Sequence, residues 1–206
     1  MSQNIIEKTK EKYDEYIKRH QLIIDVAIKL FNEKGYRSVK TAEISQGVGV
    51  SEPTLYSHFK SKKDLYIECS KYVIDELLEM YGEIYKKYSD NESEWIEEIS
   101  RSYIKYMDKN PDKSMFMIQL LSTKSDPDFS NLMRDFMVQN IETVEKMLRR
   151  AESKGKLKTK VNIHALAILY ANIFFTVSAA REFSEPGEIS GEDYIEIVRN
   201  MVRLEE

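Results

Sequence analysis

The chain has 206 residues, of which 42% are hydrophobic and 32% charged, with only four prolines and seven glycines. This composition is typical of a soluble helical protein and argues against a β-sandwich, a disordered tail or a membrane span. The net charge of -4 is unevenly divided, because residues 1–63 carry a net charge of +4 and residues 64–206 a net charge of -8. Such an asymmetry favours an anionic partner for the N-terminal part, although ordinary variation in surface charge is an alternative explanation.

Residues of the kinds used for disulfides and metals are scarce. The one cysteine, Cys69, excludes an intramolecular disulfide, and no N-terminal apolar segment resembles a signal peptide, so we expect a cytoplasmic protein. His20, His58 and His164 are far apart in sequence, and we expect no metal site and no cofactor. Residues 165–180 carry no charge, but their short length and polar interruptions favour a buried helix, so no membrane partner is expected.

The first predicted helix begins at about Lys18. Its apolar residues recur with helical spacing from Ile23 to Phe31, and Gly35 supplies a stop signal. Residues 1–17 are polar and rich in lysine. We expect them to form a frayed extension of this helix or, alternatively, an ordered arm that touches a nucleic acid.

Residues 41–59 have the pattern of two short helices around a glycine turn. Thr41 is expected to cap the first of them, which turns Ile44 and Val48 inward, and Gly49 allows the left-handed turn conformation. This is the arrangement of a helix-turn-helix, whose second helix enters the major groove of DNA.

The second short helix is expected to begin at Ser51, its N-cap. Pro53 is acceptable in the first turn, where backbone amides have no intrahelical acceptor to lose. Leu55 and Phe59 are four residues apart and form the inward face. The polar residues on the other sides of the helix are then available to DNA.

These residues resemble the N-terminal DNA-binding domain of TetR/AcrR-family transcriptional regulators. The resemblance covers about residues 20–66 and rests on the segments IIDVAIKLF, GY, ISQGVGVS and PTLYSHFKSKKDLY. Ser45 and Val48 stand where the family usually has alanines, and Thr41 lies one place later than the usual hydroxyl. The resemblance implies an all-α fold, with a three-helix helix-turn-helix domain followed by a C-terminal helical bundle.

The resemblance also implies roles for side chains in and around the second short helix. The residues implied to face bases are Glu52, Pro53 and Thr54, and those implied to bind phosphates are Tyr56, His58 and Lys62. Thr41 and Lys60 are added as further phosphate contacts. Each assignment has a structural alternative: Glu52 as a carboxylate that favours the helix dipole, Tyr56 as a cover for the small core, and His58 as a surface histidine.

Six more helices are predicted downstream, which gives about nine in the whole chain. Ser61 and Asp64 form a capping box that opens a long helix to about residue 88. The later helices start at Asn91, Asn110-Pro111, Asp126-Pro127, Asn162 and Ser190. We expect two domains: residues 1–63 for DNA binding and residues 64–206 for ligand binding and dimerisation.

The middle of the C-terminal region is rich in Met, aromatic and scattered polar residues. A mostly apolar lining with a few polar groups is how small-molecule sites are built, although residues at helical spacing are more often core. The expected effector-binding residues are Trp95, Tyr103, Met107, Phe116, Gln119, Met133, Met137, Asn140, Asn172 and Phe175.

The last two helices fit a dimer interface, with intramolecular core as the competing explanation. The small residues expected to allow close approach are Ala165, Ala167, Ala171, Ser178 and Ala179. Those expected to supply apolar area are Tyr170, Phe174, Val177, Ile197 and Met201.

We therefore expect a homodimeric repressor that binds an inverted-repeat operator in double-stranded DNA and is released by a small, largely apolar effector. An architectural or partner-regulated DNA-binding protein without an effector is the alternative. No phosphate loop, nucleophile elbow or histidine-carboxylate motif indicates an enzyme.

Overall fold

The computed structural model describes residues 2–122, 126–157, 160–180, 185 and 190–202. Within these ranges the predicted all-α fold is confirmed, and the predicted Pro186-Gly187 loop lies outside them. The described residues form nine helices: α1 (Ser2–Ser38), α2 (Thr41–Val48), α3 (Glu52–His58), α4 (Lys62–Tyr88), α5 (Glu92–Lys109), α6 (Pro111–Ser122), α7 (Pro127–Ser153), α8 (Ile163–Ala180) and α9 (Gly191–Val202).

The chain divides into two compact units, residues 1–72 and 73–206. The division falls inside α4, nine residues after the boundary between residues 63 and 64 that we expected from the sequence. Below, the first unit means residues 1–72 and the second unit residues 73–206.

The first unit is built around the apolar face of α1. Ile23, Ala27 and Phe31 are fully buried, together with Ile44 of α2 and Leu55 of α3. Gly35 has a φ of 74° and interrupts α1 before its last turn, at the position where the sequence predicted a stop. Before that break the described backbone is helical from residue 2 onwards, so the expected extension of α1 is helix rather than coil.

The prediction that Thr41 caps α2 is wrong. The N-cap is Lys40, whose backbone N–H donates to the Glu43 carboxylate at 2.9 Å, and Thr41 is the first helical residue. Because Thr41 lies inside the helix, its hydroxyl does not act as the cap and bonds to side chains of α3 instead.

The two other caps predicted in the first unit are confirmed. The Ser51 hydroxyl accepts from the Thr54 backbone N–H at 3.3 Å. The Ser61 hydroxyl donates to Asp64 at 2.9 Å and accepts from the Asp64 N–H at 3.1 Å, which is the expected capping interaction at the start of α4.

In the second unit α8 packs against α5, α6, α7 and α9, and α5 also packs against α9. Trp95, Phe116 and Tyr170 are among its most deeply buried side chains. Within the described ranges, α8 is the one helix long and apolar enough to cross a membrane by length and composition alone. Its packing against four other helices accounts for part of that apolar composition, but Ile168 and Leu169 are exposed, so the buried helix predicted from the sequence is confirmed only in part.

Candidate nucleic-acid interface and cavity

The turn between α2 and α3 has the geometry that its sequence predicted. Gly49 lies in the left-handed region (φ 77°), and its N–H donates to the Gln46 carbonyl at 3.1 Å. Leu55 and Phe59 are 2% and 4% exposed, so the predicted inward face of α3 is confirmed. Burial of that face leaves the N-terminal end and outer side of α3 at the surface.

Three of the predicted DNA-binding residues form one hydrogen-bonded cluster at this surface. The Thr41 hydroxyl donates to the Glu52 carboxylate at 3.0 Å and lies 3.2 Å from the Tyr56 hydroxyl. A hydroxyl has one hydrogen to donate, so in this arrangement Tyr56 donates to Thr41. The cluster joins the first turn of α2 to α3 and fixes where the Glu52 carboxylate points.

The remaining residues at the start of α3 are accessible. Pro53 is exposed, and Thr54 is half-buried with its hydroxyl 2.9 Å from that of Ser51. Tyr56 is 47% exposed, so it does not serve as a cover for the small core. The surface thus offers one carboxylate, two hydroxyls and a proline at a helix N-terminus.

Lys62 occupies a different place from the one expected of a phosphate contact. Its ammonium group donates to the carbonyls of Tyr36 at 2.8 Å, Val39 at 2.8 Å and Arg37 at 3.3 Å. An ammonium has three hydrogens, so these bonds use all of its donors. The geometry does not support the predicted phosphate contact, because Lys62 instead clamps the end of α1 to the start of α4. Lys60, two residues before Lys62, has an exposed side chain.

His58 is also more enclosed than a simple phosphate contact would be. Its ring stacks on Tyr16 of α1 with centroids 4.2 Å apart and lies 5.6 Å from the ring of His20, which itself stacks on Phe59. The Nδ1 atoms of both histidines are buried without a hydrogen-bond partner among the described residues. Tyr16 therefore attaches the N-terminal part of α1 to the end of α3, a contact that the sequence did not suggest.

Burial governs the protonation of this aromatic cluster. It lowers the pKa of His58, and the nearby His20 and Arg19 lower that pKa further. Burial also lowers the pKa of His20, against an opposing contribution from Glu68. Both rings are thus held toward the neutral form.

The second unit contains a cavity of about 290 Å³. This volume lies near the lower limit of small-molecule pockets. Trp95 and Asn140 are the predicted effector residues that lie on its wall. The described residues that line it come from α4, α5, α7 and α8: Leu78, Tyr81, Gly82, Tyr85, Trp95, Ile99, Gln139, Asn140, Thr143, Val144, Lys146, Tyr170 and Ala171.

The other predicted effector residues are not part of the described wall of this cavity. Tyr103 and Phe175 line a void of only about 10 Å³. Met107, Phe116 and Met133 are buried, which agrees with the core alternative, and Ser178 donates to the Met107 sulfur at 2.7 Å. Three predicted effector residues remain, and their side chains are half-buried: Gln119, Met137 and Asn172.

Sequence reasoning missed most of the cavity wall. Gln139, Thr143 and Lys146 were overlooked, although their spacing with Asn140 places all four on one side of α7. That polar stripe was the available signal. Tyr81 and Tyr85 of α4 were not singled out either. Among the described residues no group of three or more His, Cys, Asp or Glu is arranged to hold a metal ion.

Comparison with known proteins places the first unit in a family. Residues 23–69 match the family described as bacterial regulatory proteins, tetR family. The HTH-type transcriptional regulator AcrR of Shigella flexneri is 41% identical over 61 residues, covering 30% of this chain and 27% of that protein. The negative regulator IcaR of the Staphylococcus epidermidis biofilm operon is 39% identical over 67 residues, covering 31% and 36%. The chain thus matches only about a quarter to a third of each relative's length.

Solved structures resemble the chain over nearly its whole length. A tetR-family regulatory protein from Rhodococcus RHA1 has a TM-score of 0.76 at 20% identity, covering 92% of this chain and 99% of that one. AibR, solved with isovaleryl coenzyme A and operator DNA, has a TM-score of 0.75 at 16% identity, covering 91% and 100%. These likenesses establish the fold. By the sequence match of residues 23–69, the helix-turn-helix segment of this chain belongs to the tetR family of bacterial regulatory proteins.

Proposed function

We propose that this chain is a homodimeric repressor that binds an inverted-repeat operator and leaves it when a small molecule enters the cavity of the second unit. The observation that carries the proposal is the exposed N-terminal end of α3, set on a buried Leu55–Phe59 face by a glycine turn. A helix presented in this way is suited to the major groove. IcaR, a relative of the first unit, is named as a negative regulator, which supports repression.

In this proposal Glu52, Pro53 and Thr54 face bases, because they occupy the exposed first turn of α3. Glu52 accepts hydrogen bonds from cytosine N4 and repels phosphate, while its bond to Thr41 keeps the carboxylate in a defined direction. The same carboxylate also favours the helix dipole, so the two interpretations of Glu52 coexist.

Tyr56 and Lys60 are the proposed phosphate contacts, since both side chains are exposed beside the reading helix. Thr41 supports Tyr56 and Glu52 through its hydroxyl. We assign Lys62 and His58 to positioning α3 and the start of α4, because their polar atoms or rings are engaged within the first unit.

A dimer is proposed because one reading helix buries too little surface for high affinity. In the second unit α8 and α9 expose apolar side chains, with Leu169 59%, Ile197 52% and Ile168 38% accessible. Those helices also contain much of the predicted interface, but its members Ala167, Tyr170, Ala171, Val177 and Ser178 are buried within the protomer. Ala165 is exposed, Ala179 is half-buried, and the side chains of Phe174 and Met201 lie outside the described residues.

The cavity supports an effector-controlled version of the proposal over the architectural alternative. An effector releases DNA only if it binds the DNA-free conformation more tightly, and operator DNA must then weaken effector binding by the same factor. AibR, whose fold this chain shares, was solved in complex with isovaleryl coenzyme A and operator DNA, which supports a small-molecule ligand for a DNA-binding protein of this fold.

The proposal is tested by selecting bound sites from random double-stranded DNA and footprinting the winners. We expect an inverted repeat protected by two protomers, with affinity that falls steeply as salt rises. Sedimentation of the free protein should give a dimer mass. Recovery of single half-sites by a monomer, or binding that ignores salt, would refute the DNA-binding and dimer assignments.

A further inference from the structure

The lining of the cavity has an unbalanced charge. Lys146 is the one charged side chain among the described residues that form its wall, and no carboxylate joins it there. Lys146 is exposed, with its ammonium 5.9 Å from the centroid of the Tyr85 ring, another wall residue. A single cation of this kind at a cavity favours an anionic ligand.

Neighbouring acids are directed elsewhere. Glu145 precedes Lys146 in α7, but its carboxylate oxygens lie 2.6 Å from Arg149 and 2.6 Å from His164. The bonds from His164 and Arg149 hold the pKa of Glu145 below its usual range, so its charge is already committed to those partners. Within the described ranges Lys146 forms no ion pair, and it remains available to a ligand.

The walls divide into a polar and an aromatic side. The α7 side presents Gln139, Asn140, Thr143 and Lys146 along one stripe, while α4 and α5 present rings and aliphatic groups, including Tyr81 and Trp95. The Thr143 hydroxyl donates to the Gln139 backbone carbonyl at 2.8 Å. The side-chain amides of Gln139 and Asn140 therefore remain the neutral polar groups nearest to Lys146 along the helix.

From this arrangement we propose that the cavity binds a small amphipathic carboxylate with a flat aromatic or unsaturated body. The carboxylate pairs with Lys146, and the body lies between the aromatic walls. The volume of about 290 Å³ limits the body to a compact ring system, well below the size of a drug-like ligand. The inference deepens the proposed function and rests on the cavity being its effector site.

The test compares 1-naphthylacetate with its neutral counterpart 1-naphthylacetamide, which has the same ring and nearly the same shape. Calorimetry on the free, full-length protein measures both ligands without DNA. We expect the carboxylate to bind about fivefold more tightly, the size of a partly exposed ion pair. That preference should disappear in Lys146→Met and persist in Lys146→Arg.

The matched control is Lys105→Met, which removes an exposed lysine of the same unit that is not part of the cavity wall. It should keep the full preference for the carboxylate. Circular dichroism melting of each variant checks that the folds are intact. Equal binding of acid and amide by the wild type, survival of the preference in Lys146→Met, or absence of binding by both compounds at millimolar concentration would overturn the inference.

The outcomes separate this inference from the proposed function. If naphthylacetate binds through Lys146 but leaves operator binding unchanged, the ligand class stands and effector control fails. If operator binding is salt-dependent and sequence-specific but no carboxylate preference exists, the regulator stands and the ligand class fails.

Discussion

The two units carry their functional surfaces in opposite ways. In the first unit the accessible polar residues lie on the outside of one seven-residue helix, α3, and the surrounding helices serve to hold it. In the second unit the candidate site is a concavity walled by four helices. A convex site of this kind is encoded within one short stretch, whereas the concave site depends on the packing of distant segments.

Each unit also contains a charged side chain that joins distant parts of the chain. The charge of that side chain is positive in the first unit and negative in the second. In the first unit the cation Lys62 meets three backbone carbonyls. In the second the fully buried carboxylate of Glu92 lies between Lys154 at 2.7 Å and Arg150 at 3.0 Å. Removing the Lys62 ammonium takes a donor from carbonyl groups that carry no charge themselves. Removing the charge of Glu92 leaves the positive charges of Lys154 and Arg150 with less negative charge beside them.

The largest effect is therefore expected in the second unit, from Glu92→Gln. Burial raises the pKa of Glu92, but the bonds from Lys154 and Arg150 outweigh it, so its pKa lies below its usual range and it is ionised at neutral pH. Neutralising it leaves Lys154 without its carboxylate partner and Arg150 with Asp90 as its remaining acidic partner. We expect a loss of about 3 kcal/mol in the free energy of unfolding.

Urea unfolding followed by the fluorescence of Trp95 measures this loss, because that tryptophan is the only one in the chain and is 1% exposed in the same unit. Glu94→Gln, two residues away and exposed, is the matched control and should change stability by less than about 0.5 kcal/mol. Equal effects of the two variants would show that the buried carboxylate is not a main support of the unit.

The next largest effect is expected from Lys62→Met in the first unit. Losing the ammonium removes the short hydrogen bonds that Lys62 donates to the carbonyls of Tyr36 and Val39. We expect the free energy of unfolding of the first unit to fall by about 2 kcal/mol, which hydrogen exchange of amides in α1 to α3 would measure. DNA binding should weaken only as far as the folded population falls.

Lys60→Met is the comparison that separates clamping from phosphate binding. It should leave hydrogen exchange unchanged and reduce the slope of log affinity against log salt by about one unit. If Lys62→Met changed the salt slope while the amides stayed protected, Lys62 would be a phosphate contact after all, and the comparison between the two lysines would be reversed.

A smaller effect, of opposite sign, is expected at Gly82 in the cavity wall. A Cβ placed there meets no atom within 4 Å, and a glycine inside a helix costs about 0.5–1 kcal/mol relative to alanine. Gly82→Ala should therefore raise the free energy of unfolding of the second unit by up to that amount. Gly82→Leu should also block 1-naphthylacetate, because its side chain extends into the cavity.

Thermal melting, monitored by the fluorescence of Trp95, checks the change in stability. Calorimetry with 1-naphthylacetate checks the loss of binding. Gly82→Ala is the control for the helix itself, since it adds little volume and should still bind. Undiminished binding by Gly82→Leu would place the ligand elsewhere in the molecule.

The helices could be predicted closely because their ends are set by local chemistry. Asn91 and Asp126 cap their own helices, and the prediction needed only residues within one turn. Thr41 was misassigned as a cap because the helix begins one residue earlier: the Lys40 carbonyl accepts from the Glu43 N–H at 3.0 Å, and the Glu43 carboxylate accepts from the Lys40 N–H. Local rules thus decide between neighbouring candidates only when every nearby acceptor is considered.

The cavity could not be predicted in the same way. Phe116 and Trp95 look alike as apolar residues at helical spacing, yet Phe116 is fully buried core and Trp95 lines the cavity. Only the packing of four helices decides which face meets empty space. The carbonyl partners of Lys62 could not be predicted for a related reason, since they lie 23 to 26 residues earlier in the chain.

The smallest expected effect concerns pH and the aromatic cluster of Tyr16, His20, His58 and Phe59 in the first unit. Because the pKa values of His20 and His58 are lowered on folding, the unfolded chain binds more protons than the folded one below the ordinary histidine pKa of about 6.5. Stability from the cluster is fully present above that pH and is lost as pH falls through the folded values.

Proton NMR titration of the imidazole rings measures these pKa values directly, and hydrogen exchange between pH 7.5 and 5.5 follows the stability of α3. We expect both rings to titrate below about 6.5, with exchange from α3 quickening as they do. The double variant His20→Gln, His58→Gln should flatten that pH dependence. Histidine pKa values at or above the ordinary value would mean that the rings are open to water, and the contact of Tyr16 with α3 would then hold no part of the reading helix in place.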